Sequence, residues 1–166
     1  MKAIKKILVP TDLSEFSLAA VEYAASLAEM YGAKIYMLYV TDGEPNLAFP
    51  TVDRHSETIP RDSEGEAKKQ LHHFVYGNVI QVRNIVEIVR VGKAQVEIPR
   101  FATEAGIDLI VMATHGRTGF AHVFMGSVAE KVVRTSSVPV MIIKPRELQS
   151  VLVTEEDIEE DLHLKG

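Results

Sequence analysis

The residues whose types and spacing could do chemistry are gathered between Val111 and Ser127, in the stretch VMATHGRTGFAHVFMGS. An apolar run, Leu109 to Ala113, leads into a loop carrying Gly116, Gly119 and Gly126, and Ser127 opens a helical pattern, VAEKVVRTS. Glycines let backbone amides approach a ligand, and a helix N-terminus adds partial positive charge. Strand, glycine loop, hydroxyl and helix start therefore make an anion cradle, suited to phosphate and in particular to the phosphates of a nucleotide. The plainer alternative is a glycine-rich turn that only redirects the chain.

Three better-known phosphate or nucleophile motifs are absent. There is no Gly-Lys-Ser/Thr, so the loop is not a P-loop. The first strand ends PTDLS with no glycine, which excludes a dinucleotide fingerprint. Ser127 directly follows Gly126 and precedes Val128, so it does not form a Gly-x-Ser-x-Gly nucleophile elbow. His115 and His122 flank the loop and could approach phosphate or act as general bases, although lone loop histidines are commonly surface or packing residues. His72 and His73 are adjacent, so on a helix they point about 100° apart and are poor co-ligands. No acid pairs with a histidine near the loop, and no catalytic set emerges.

The elements that must position these residues alternate in type. Ile4 to Pro10 reads as a strand and Ser14 to Tyr31 as a helix, with Ser14 as N-cap and Gly32 closing it. Lys34 to Val40 is a second strand, followed by a polar, proline-bearing loop over 41–60. A helix over 61–76, the strand Ile85 to Val91, and a helix from Ala94 to Ala105 ended by Gly106 come next. The strand Leu109 to Ala113, the helix Ser127 to Thr135 and the strand Val138 to Ile143 complete the series. Strands alternating with helices, and strands that are near-continuous apolar runs, indicate one α/β domain: an open parallel five-stranded sheet with helices on both faces. Pro139 within the last strand marks a sheet edge, available for pairing with another chain. If the first and fourth strands are central neighbours, Thr11 and Asp12 face the glycine loop across one crevice beyond the strand C-termini. There Asp12 could accept hydrogen bonds from ribose or base, or could cap the following helix; both roles stay open.

Composition narrows the function class. The chain has 166 residues, 46% hydrophobic and 25% charged, enough for one domain with a sizeable core. It has no cysteine, which excludes disulfides, thiol catalysis and cysteine-bound zinc. No apolar run reaches the roughly 18 residues of a membrane span, and Pro10 and Asp12 cut short any signal core, so a cytoplasmic location is expected. The net charge of −5 is uneven: from Glu147 onward seven acids face Lys165 alone, leaving the first 146 residues at +1. A nearly neutral body argues against nucleic acid as partner. The division expected is a domain over 1–146 and a solvated acidic tail over 147–166 that lacks calcium-loop spacing.

The sequence resembles the universal stress proteins over nearly its whole length, from KKILVPTDLSEFSLAAVEYAASLA to SSVPVMIIKP. The ATP-binding branch of that family carries G-x2-G-x9-G-S/T, and Ala113-Thr114-His115-Gly116, nine residues, then Gly126-Ser127 match the spacing, with Ala113 replacing the first glycine. The resemblance implies sheet order 3-2-1-4-5, a Rossmann-like fold, and a homodimer formed through the last strand. It implies ATP as ligand, with Mg2+ or Mn2+ accompanying the phosphates rather than held by a protein cage. By similarity Thr11, Asp12 and Val40 border adenine and ribose, Met112, Ala113 and Gly116 line ribose and phosphates, and Arg117, Gly126, Ser127 and Val128 contact the phosphates. The expected function is that of a dimeric, ATP-binding sensor or regulator acting on an unidentified protein partner. Two alternatives are a dimeric interaction protein of the same fold that binds no nucleotide, and a slow ATP-hydrolysing enzyme.

Overall fold

The computed structural model describes residues 3–41, 63–78, 84–114 and 125–144. The strands are β1 (Lys6–Thr11), β2 (Lys34–Thr41), β3 (Ile85–Val91), β4 (Leu109–Ala113) and β5 (Val140–Ile143). They form one sheet in the order β3-β2-β1-β4-β5 with every pairing parallel. The helices are α1 (Leu18–Tyr31), α2 (Ser63–Asn78), α3 (Ala94–Glu104) and α4 (Ser127–Thr135). The expected fold class and strand order are therefore those observed.

Strand side chains alternate between two cores, although the runs themselves are continuously apolar. Ile7, Val9, Ile35, Met37, Leu109 and Val111 pack with Ala24 of α1 and Leu71 and Phe74 of α2. Leu8, Leu38, Ile110 and Met112 face the other way, onto Ile98 and Phe101 of α3 and Val132 of α4. A strand with helices on both faces has no solvent side, so both halves of its two-residue period are apolar.

Two helices end alike. Gly32 and Gly106 both take φ of 62°, and the next residue's N–H reaches back: Ala33 N to Ala28 O and Ile107 N to Ala102 O, each 2.9 Å. A left-handed glycine there satisfies carbonyls the helix would leave bare. Asp108 ties the end of α3 to β1: its Oδ2 accepts from Lys5 N at 3.0 Å and Lys6 N at 3.1 Å, while Lys6 Nζ donates to Ala105 O at 2.7 Å.

Several boundaries differ from expectation: β1 runs Lys6–Thr11 rather than Ile4 to Pro10, β2 extends to Thr41, α2 is Ser63–Asn78 rather than 61–76, and α3 stops at Glu104. Two further differences have a cause in the hydrogen bonds. The segment after β1 enters helix through a 3₁₀ turn, Glu15–Ser17, before α1 starts at Leu18. Ser14 makes no side-chain cap bond; its hydroxyl is spent on Asp12. The last strand starts at Val140 rather than Val138, because Ser136 Oγ holds Val138 in a tight turn, accepting from Val138 N at 3.0 Å. Pro139 consequently stands just before the strand and contributes only its carbonyl, which accepts from Ile110 N at 2.9 Å. β5 is nevertheless an edge of the described sheet. The loop over 42–60 and the acidic tail lie outside the described residues. Among those residues, no helix is long and apolar enough to cross a membrane.

Candidate functional site

From β1 the chain winds outward through β2 and β3, then returns to place β4 on the other side of β1. The connections leaving β1 and β4 thus diverge, and a crevice opens at their C-terminal ends. Its volume is ≈ 320 Å³, within the range of about 300–1,000 Å³ typical of small-molecule sites.

Four walls close it. Pro10, Thr11, Asp12 and Ser17 supply the β1 side, and Met112, Ala113 and Thr114 the β4 side. Leu38 and Val40 of β2, with Ala94 and Ile98 of α3, make an apolar floor. Gly126, Ser127, Val128 and Ala129 bring the start of α4. A slot with an apolar floor and polar groups at its rim suits a ligand with a flat organic part and a charged end.

The charged end has a counterpart in α4. Gly126 N donates to Thr114 O at 2.8 Å, anchoring the helix start to the end of β4. Gly126 is extended, φ −65° and ψ 151°, and as N-cap it brings no side chain to cap the helix. The first intrahelical bond runs from Glu130 N to Gly126 O at 3.0 Å, so the N–H groups of Ser127, Val128 and Ala129 precede the ladder. Such a terminus carries roughly half a positive charge and offers donors to an anion.

Asp12 is held on the opposite wall. Its Oδ1 accepts from Ser14 N at 3.1 Å and from Ser14 Oγ at 2.6 Å. It therefore braces the turn into α1 and also lines the crevice. Between them Leu13 takes φ of 66°, a left-handed conformation costing a side-chain-bearing residue about 1–2 kcal/mol. Leu13 packs against the α1-side core, and its N–H donates to Thr11 Oγ1 at 2.9 Å.

Of the residues singled out from sequence, Thr11, Asp12, Val40, Met112, Ala113, Gly126, Ser127 and Val128 all line this crevice. Gly116 and Arg117 lie outside the described residues, as do His115, Gly119 and His122. Ala113 has its methyl in the α1-side core, whereas Met112, Leu38, Ile98 and Ala129 belong to the other face. The alanine therefore turns its side chain away from the apolar floor. Ser17, Leu38, Thr114, Ala94 and Ile98 were not anticipated. The α3 pair is brought in by the turn at Gly92, whose N–H donates to Thr41 O at 2.7 Å; its φ is 147°, and a Cβ there would meet Glu97 Cγ at 3.0 Å. A glycine directly after a strand and before a helix was the available signal. Among the described residues, no group of three or more His, Asp or Glu could hold a metal ion.

Comparison with known proteins gives the same answer at the level of family. The model of the universal stress protein family matches residues 3–144. Universal stress protein MJ0531 of Methanocaldococcus jannaschii is 34% identical over 143 residues, covering 84% of this chain and 82% of that protein. The solved structure of MJ0577, from the same organism, superposes with a TM-score of 0.69 at 27% identity, over 87% of this chain and 99% of the other. A universal stress protein from Archaeoglobus fulgidus, solved in complex with dAMP, shares the fold with a TM-score of 0.62 at 23% identity, over 86% and 100%.

Proposed function

The chain belongs to the universal stress protein family, and on that premise we propose that its crevice binds an adenine nucleotide, with ATP as the ligand. One observation carries the reading. The uncapped start of α4, the carboxylate of Asp12 and an apolar floor converge on a single crevice at the point where the strand order reverses. Each feature matches one part of the ligand: donors for phosphate, an acceptor for ribose hydroxyls, and a dry surface for the purine. The dAMP complex of the Archaeoglobus fulgidus relative supports the class of ligand.

In this reading Thr11, Asp12 and Val40 border adenine and ribose. Met112, Ala113 and Gly116 line the ribose and phosphates, and Arg117, Gly126, Ser127 and Val128 receive the phosphates. Mg2+ or Mn2+ arrives with the triphosphate. The protein acts as a cytoplasmic dimeric sensor or regulator: the nucleotide bridges the two walls and changes the surface offered to a protein partner. The homodimer forms along the outer edge of β5, the edge turned away from β4 in this sheet. Any ATP hydrolysis is slow: among the described residues no histidine or arginine lines the crevice.

The test is to denature the purified protein and identify any released nucleotide by chromatography, followed by calorimetry with Mg-ATP. Recovery of an adenine nucleotide, or saturable Mg-ATP binding, is the expected result. Neither would be seen if the chain is an interaction protein that keeps the fold without the ligand.

A further inference from the structure

Ser17 stands where the 3₁₀ turn meets α1, 4% exposed, in the crevice wall formed by the β1 side. Its hydroxyl donates to Ser14 O at 2.7 Å and lies 2.8 Å from Thr11 Oγ1. A hydroxyl has one proton. Ser17 uses its own on Ser14 O, so the Thr11 hydroxyl must donate to Ser17, and Thr11 Oγ1 then accepts from Leu13 N. Ser14, held through its carbonyl by both Ser17 Oγ and Ser17 N, directs its own N–H and hydroxyl at Asp12 Oδ1. The direction of every bond is thereby set, and the series leads from a buried serine to the carboxylate at the crevice.

We infer that Ser17 is a positioning residue for ligand recognition: its hydroxyl holds the loop from Thr11 to Ser14 in the one conformation that presents Asp12 to the ribose-bearing half of the nucleotide. This rests on the adenine-nucleotide reading of the crevice. The left-handed Leu13 shows why a brace is required. That conformation is unfavourable in isolation and persists only where its surroundings over-determine it. Without the Ser17 hydroxyl, Thr11 loses its acceptor and the Ser14 carbonyl loses one of two donors. Leu13 can then relax, and Asp12 leaves its place.

The experiment is calorimetry with Mg-ATP and, separately, with inorganic tripolyphosphate and Mg2+, on the full chain and on Ser17→Ala, Thr11→Val, Asp12→Ala and the double variant Asp12→Ala/Ser17→Ala. Thermal unfolding of each variant checks that it is folded. Thr11→Val breaks the series at its first member at nearly constant volume, in case Ser17→Ala does not fold. Ser17→Ala is expected to weaken ATP about tenfold, the scale of one well-placed hydrogen bond, and to leave tripolyphosphate binding within twofold. Thr11→Val weakens ATP in the same direction. In the Asp12→Ala background, Ser17→Ala adds no further loss, because the group it positions is gone.

Unchanged ATP affinity in Ser17→Ala overturns the inference. So does an equal loss in both backgrounds, which would make Ser17 a packing residue only. Amide hydrogen exchange at Leu13 and Ser14 in the ligand-free protein separates this failure from that of the nucleotide reading. Faster exchange in Ser17→Ala, with no ATP binding by the unaltered chain, would leave the brace real, the nucleotide reading wrong, and the positioning role overturned with it.

Discussion

Gly126 adopts φ −65° and ψ 151°, a conformation open to any residue, so its glycine is not required by the backbone. What it supplies is the absence of a side chain where the α4 amides meet the crevice. Gly126→Val should therefore leave thermal stability nearly unchanged while weakening ATP at least tenfold in calorimetry; full affinity in this variant would remove the phosphates from the α4 terminus. Ala113 argues the opposite case. Its methyl lies with Val111 and Ile7 in the α1-side core, so Ala113→Gly should alter ATP affinity less than threefold. It should also cost about 1 kcal/mol of stability, from added chain freedom and a lost buried methyl. A large gain in affinity on urea-controlled, equally folded samples would show that the alanine obstructs the ribose after all. Gly126 was legible from the glycine loop and Ala113 from the resemblance to the family's pattern, and the direction of the Ala113 side chain was not. Direction depends on the register of β4 against β1, and that is a tertiary fact. Asp12 was legible as a residue of the crevice or of the helix start; its bonds to Ser14 put it in the turn, and it lines the crevice as well.

At the level of elements, apolar runs located β3 and β4 to the residue, and glycines located the ends of α1 and α3, because each signal reports a local backbone requirement. The reading slipped where a serine had two possible partners. Ser14 caps no helix because Asp12 takes its hydroxyl, and Ser136 closes a turn that delays β5. Pro99 is carried inside α3; Ile98, Phe101 and Ala102, all buried around it, hold the helix against the missing donor. The contribution of α3 to the crevice was hidden because it depends on the Gly92 turn. Gly92→Ala forces a side chain into a φ of 147° and against Glu97 Cγ, and should cost about 1–3 kcal/mol. Because the same turn sets Ala94 and Ile98, ATP affinity should fall in parallel in calorimetry. A destabilised variant with full affinity would detach α3 from the site. On the far edge, Met141 of β5 is 36% exposed. Met141→Lys places charges on an edge proposed to meet its own copy, so sedimentation should show the dimer shifted toward monomer with the unfolding temperature of the monomer preserved. An unaltered dimer would move the interface elsewhere.

For the molecule as a whole, the crevice is assembled from β1, β2, β4, α3 and α4, elements far apart in sequence that meet only when the sheet is complete. A ligand in such a site binds the folded chain and has nothing equivalent to bind in the unfolded one. Its binding energy must then appear as stability: about 2.7 kcal/mol when free ligand is at one hundred times Kd. For a domain of this size that corresponds to a rise of roughly 5–10 °C in the unfolding temperature. Mg-ATP should produce this shift, growing by equal steps for each tenfold rise in concentration, and GTP should produce less if the apolar floor and Val40 select the purine. The last described element ends at Ile143 and the family match at residue 144. A chain cut after residue 146 should therefore show the same midpoint and the same ATP-dependent rise as the full chain. A smaller rise in the shortened chain would bring the acidic segment 147–166 into the binding equilibrium, and an equal rise with ATP and GTP would reduce the site to a phosphate cradle without base recognition.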